Sequence, residues 1–85
     1  MLSGSASLNF PSIAALSTSD LTITVTGAAL SDMVALGIPN ASITADVTYS
    51  AWVSATDTVT VRARNHNAVS ASDPASGTFK VKILK

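Results

Sequence analysis

Residues 21–26 read LTITVT, with apolar residues and threonine alternating without a break. A period of two marks a strand with one face buried and the other in water. Leu21, Ile23 and Val25 are expected to point inward, and Thr22, Thr24 and Thr26 outward. The same alternation returns at residues 58–63, with Val59, Val61 and Ala63 inward and Thr58, Thr60 and Arg62 outward. In residues 78–84, Phe79, Val81 and Ile83 form the inner set, and Thr78, Lys80 and Lys82 the outer one. Residues 47–53 (VTYSAWV) place Val47, Tyr49, Ala51 and Val53 on one face, and Trp52 on the other with Thr48 and Ser50. Residues 33–36 form a shorter strand. Leu8 and Phe10 share a parity and open a first strand, which Pro11 interrupts or confines to an edge.

Between these runs lie turn signals. Residues 1–7 are rich in Ser, Gly and Ala and are expected to stay loose and flexible until packed. Residues 12–16 predict a loop or a single turn, and residues 17–20 (STSD) a turn cluster. Gly27 and Gly37 close strands, and Ser31-Asp32 and Pro39-Asn40 mark further turns. Residues 41–45 show no clear pattern. Residues 54–57 predict a short hairpin connection. Residues 65–76 form the longest loop, and Asp73-Pro74 restarts the chain. The five aspartates, three of them in Ser-Asp pairs, are spaced 12, 14, 11 and 16 residues apart. Turn signals at such intervals suit a sandwich of short strands. The predicted fold is all-β: one small antiparallel β-sandwich, jelly-roll or Ig-like, of six or seven strands over residues 1–85. No internal repeat or linker divides it.

Composition changes the picture in one respect. Only 12% of the 85 residues are charged and the net charge is zero, against about 25% charged in an ordinary soluble domain. There is no cysteine to add a disulfide or a thiolate–metal site. A small β domain of this kind gains stability by oligomerising, and its low charge suits a surface covered by a partner. The alternative is a monomer kept soluble by its hydroxyl groups. The charges are also uneven: residues 1–61 carry four aspartates and no base, residues 62–85 five bases and one aspartate. Such a dipolar chain can order subunits head to tail or seat one end on an acidic partner. In the plainer alternative, Arg62, Arg64, Lys80 and Lys82 lie on solvated sheet edges and block unwanted pairing.

Nothing in the chain reads as catalytic, and no cofactor is predicted. His66, the single histidine, lies in a polar loop with no serine motif nearby, and reads as solvated. One histidine without cysteine does not make a zinc site, and no two aspartates are close enough in sequence for a calcium loop. Phosphate-cradling glycine patterns are absent. Tyr49 and Trp52 have opposite parity, which argues against a flat aromatic platform for sugars within one sheet. Nucleic-acid binding would need Arg62, Arg64, Lys80 and Lys82 on neighbouring strands, and is disfavoured by zero net charge. Trp52, facing away from its strand's inner set, is the best candidate for an interface anchor, with Arg62, Arg64, Lys80 and Lys82 as further interface candidates. No basic, apolar N-terminal leader or membrane-length apolar run occurs. The chain is therefore expected to be made in a cytoplasm and to involve no membrane.

The segments LNFPSIAA, DLTITVTGAALSDMVALG, YSAWVSATDTVTVRARN and DPASGTFKVKIL together resemble a group of small virion proteins of tailed bacteriophages, and modules of phage fibres and spikes. The resemblance spans nearly the whole chain and rests on a strand pattern with fixed turns. It implies a non-enzymatic structural role on the virion, with no catalytic residues to carry over. An 85-residue chain beginning at Met fits a capsid cement (decoration) protein better than a fibre. The partners it implies are further copies of the chain, a trimer in preference to a dimer, and the major capsid protein or another virion protein. The alternative is a receptor- or glycan-binding module of a tail fibre or spike, acting through residues 65–73.

Overall fold

The computed structural model describes residues 2–84, which form two three-stranded antiparallel sheets packed face to face. The strands are β1 (Leu2–Leu8), β2 (Thr18–Thr24), β3 (Met33–Gly37), β4 (Val47–Ala55), β5 (Thr58–Asn65) and β6 (Gly77–Leu84), with one 3-10 turn at Asn40–Ser42. One sheet has the order β1-β6-β3 and the other β2-β5-β4. Only β4 and β5 are neighbours in both chain and sheet. Every other connection crosses between the sheets, so the apolar face of each strand is matched by a strand distant in sequence.

The expected parity holds throughout. Val59, Val61, Ala63, Phe79 and Ile83 are fully buried, and Ile23, Val25 and Val81 nearly so. They meet Val47 and Val53 of β4, and Leu8, Phe10 and Ile13 of the N-terminal third. At one end of the core the rings of Phe10, Tyr49 and Phe79 pack mutually, with centroids 5.3–5.8 Å apart and tilted or edge-on planes. These are the favoured arrangements of aromatic quadrupoles. The Tyr49 hydroxyl donates to the carbonyl of Ser42 at 2.6 Å, and burial pushes its pKa above the usual phenol value.

Two expectations are corrected here, and one stretch without a clear pattern gains a structure. Residues 2–7, expected to be a flexible segment, belong to β1, which pairs with β6 from Leu2↔Ile83 to Leu8↔Gly77. Ser, Gly and Ala are weak strand formers, but the otherwise open edge of β6 supplies the ladder. Met1 lies outside the described residues. Thr18, Ser19 and Asp20, expected in a turn, open β2 opposite Arg64, Ala63 and Arg62. Here tertiary pairing overrides the turn chemistry of their side chains. The stretch 41–45 resolves into the end of the 3-10 turn and a bridge between Thr44 and Val47.

Two connections are firmly tied. The β4–β5 hairpin turns through Thr56 and Asp57, the latter at φ +63°. Asp57 accepts from the amide of Gly27 at 2.7 Å, and its backbone bonds to Val25 and Ala28. Gly27 itself sits at φ +94°, a left-handed conformation that glycine adopts without a Cβ penalty. At the opposite end, the loop after β5 is held by Asn65. Its fully buried amide donates to the carbonyls of Ile13 and Ser70 and accepts from the amide of Asn67. Ile13 and Ser72 exchange two further backbone bonds.

Candidate interaction faces

The five predicted interface residues separate onto opposite sides of the sandwich. Trp52 on β4 and Arg62 and Arg64 on β5 point out from the β2-β5-β4 sheet, while Lys80 and Lys82 on β6 point out from the β1-β6-β3 sheet. The basic footprint that neighbouring strands would have made therefore does not form. The edge-blocking role is corrected as well. β5 and β6 are the middle strands of their sheets, so all four cations stand at the centre of a face. The edge strands β1, β3 and β4 contain no charged residue, and β2 only Asp20. Charge thus avoids the edges, where a free monomer would use it to prevent pairing.

The β2-β5-β4 face is built in cross-strand rows. Asp20, Arg62 and Ser50 lie side by side in one row, and Thr22, Thr60 and Trp52 in the next. The Arg62 guanidinium grips the Asp20 carboxylate through two bonds, 2.9 and 3.0 Å. It also stands 4.8 Å from the ring centre of Trp52, within cation–π range. The hydrogen bond from Arg62 holds the Asp20 carboxyl below its ordinary pKa and, reciprocally, raises that of Arg62. Trp52 keeps 38% of its surface in water. Its cross-strand partner Thr60 is buried although it points outward, and shares a 2.6 Å hydroxyl bond with Ser54. The result is a pre-ordered face of one indole, one ion pair, a further cation at Arg64 and many hydroxyls.

The opposite face is different. Lys80 and Lys82 stand along the midline, flanked by Ser3 and Ser5 on β1 and by Ala35 and Gly37 on β3. Together these residues line a shallow depression of about 660 Å³. Neither lysine has an ion-pair partner among the described residues.

The loop at residues 65–73 has a held base and an exposed crest. Val69 is 87% exposed, but the amides of Val69 and Ser70 bond to the Asn67 side chain, which also reaches Asp46. The Thr48 hydroxyl and His66 Nε2 are 2.7 Å apart, which ties the exposed imidazole to β4. Among the described residues no three acidic or histidine side chains cluster as a metal site would need. Asp20 was missed as a site residue because its partner Arg62 is 42 residues away. Shared outward parity is the only trace of that pairing in the sequence. No protein-family model, curated protein or solved structure matches this chain.

Proposed function

We propose that this chain is a non-enzymatic structural protein of a phage virion, a capsid cement that self-associates and bridges capsid subunits. The observation that carries this reading is the placement of charge. The cations stand at the centres of two broad faces, while three of four sheet edges carry no charge. Such a molecule is poorly protected as a monomer and well suited to being covered. The likeness of its strand-and-turn pattern to small virion proteins supplies the assembly. Contacts repeated by symmetry would stabilise a shell by mass action. The test is to add the protein back to capsids that lack it and follow the melting of the shell. Cement raises the melting temperature; an unchanged melt sinks the cement role.

A second reading, a glycan- or receptor-binding module, is favoured by one specific feature. Trp52 offers an exposed ring beside the Arg62–Asp20 pair, and rings of this kind stack on the apolar faces of sugars. A glycan array with wild type and with Trp52→Ala or loop variants at Val69 tests it. Binding lost in the tryptophan variant places the site on the sheet; binding lost in the loop variant places it at residues 65–73.

A further inference from the structure

We propose that two copies of this chain pair through the free edge of β4, antiparallel across a two-fold axis, to make one continuous six-stranded sheet. This rests on the self-association proposed above and specifies its contact.

The backbone direction of β4 follows from its neighbour. In an antiparallel sheet the N–H and C=O of one residue point to the same side, and successive residues alternate. Asn65 donates its amide to Ser17, on the β2 side of β5. Val59, Val61 and Ala63 share that parity and bond towards β2. Thr60, Arg62 and Arg64 therefore bond towards β4, to Trp52, Ser50 and Thr48 in the observed register. Tyr49, Ala51 and Val53 are left with their N–H and C=O directed at the unpaired edge, whose start at Val47 is bridged by Thr44. None of the three has a backbone partner there among the described residues.

Among the four edges, β4 is the best template. It contains no charge, and from Val47 to Val53 it runs in regular register before the bulge between Val53 and Ala55. It is rich in β-branched and aromatic residues, whereas β1 is built from Ser, Gly and Ala between leucines. β3 has only five residues, and β2 carries Asp20. A second copy satisfies this edge because antiparallel pairing of a strand with itself is self-complementary, as a two-fold contact requires. With Ala51 on the axis, Tyr49 faces the partner's Val53, and Ser50 faces the partner's Trp52. The small serine leaves room for the half-exposed indole, which then gains a cover. A two-fold contact closes a dimer, in place of the trimer expected from the sequence.

Amide hydrogen exchange on the wild-type chain, measured at high and low concentration alongside its mass by light scattering, tests this. At concentrations where the dimer forms, the amides of Tyr49, Ala51 and Val53 become protected, and on dilution they lose that protection. Those of Ser50 and Trp52 stay protected at both, because they bond within the monomer. Ala51→Pro provides the second arm. Its lost N–H serves only the dimer, so the variant folds, with a dissociation constant raised about 100-fold or more. Ser50→Pro, by contrast, breaks the β4–β5 ladder and the fold. An oligomer in which Tyr49, Ala51 and Val53 exchange freely overturns this contact and leaves the assembly role standing. A monomer at every concentration overturns both this contact and the self-association, and leaves the bridging of capsid subunits to be decided by the shell melt.

Discussion

Asn65 shows what one side chain does here. Its amide ties two segments, near Ile13 and Ser70, to the end of β5. Asn65→Asp replaces a donor of two hydrogen bonds with an acceptor facing two carbonyl oxygens. Burial without a partner makes that costly, about 3 kcal/mol or more at neutral pH. Urea unfolding at pH 7 should show the loss, with part of it regained in acid as the carboxyl takes up a proton. Asp20 behaves in the opposite sense. Its folded pKa lies below its ordinary value of 3.8 because Arg62 bonds the charged form. The stability it adds is present in full above the unfolded pKa, and is lost as pH falls through the folded one. The stability difference between wild type and Asp20→Asn should therefore be constant at neutral pH and close below about pH 4. Both groups are well exposed, so the difference is small and shrinks with salt. The inward and outward parity of each residue was readable from the alternation. The Asp20–Arg62 pair was not, because nothing in a linear pattern says which outward residues share a row.

At the scale of elements, the strongly alternating strands were legible and the weakly alternating ones were not. β5 and β6 carry apolar residues at every second position, and burial of one face dictates their register. β1 has no such chemistry of its own. It is a strand because β6 would otherwise lack a neighbour on that side. The start of β6 is a test of packing rather than propensity. A Cβ at Gly77 would lie 2.7 and 2.8 Å from the ring carbons of Pro39, which cannot rotate away as a flexible side chain could. Gly77→Ala should cost about 1–3 kcal/mol by thermal melting and loosen the Asn40–Ser42 turn beside it. The hairpin tip makes the same point through hydrogen bonding. Asp57→Ala removes the acceptor that orients Gly27 and places a Cβ residue without local bonding at φ +63°. The expected loss is about 1–2 kcal/mol in chemical denaturation, with Asp57→Asn milder because asparagine tolerates that conformation.

For the whole molecule, the division of labour between the two faces matters more than any single site. Sequence order placed the four described cations close together, whereas the fold sends them to opposite sides because β5 and β6 belong to different sheets. Pattern reading assigns a residue to the outside of its strand, but strand order decides which outside. Trp52→Ala should weaken self-association at least tenfold in a light-scattering dilution series, while changing unfolding free energy by less than about 1 kcal/mol. Equal loss of both would make the indole an ordinary packing group.

The order of the sheet β1-β6-β3 has a consequence for how the molecule comes into being. Its middle strand is the last of the six to be synthesised, so β1 and β3 have no neighbour in that sheet until translation has passed Leu84. The other sheet draws only on residues 18–65 and can pair earlier, starting from the β4–β5 hairpin, where the closing loop is two residues long. Until β6 arrives, a nascent chain displays the apolar face of β2, β5 and β4 uncovered. In a crowded polysome that is the interval in which neighbouring chains can exchange strands.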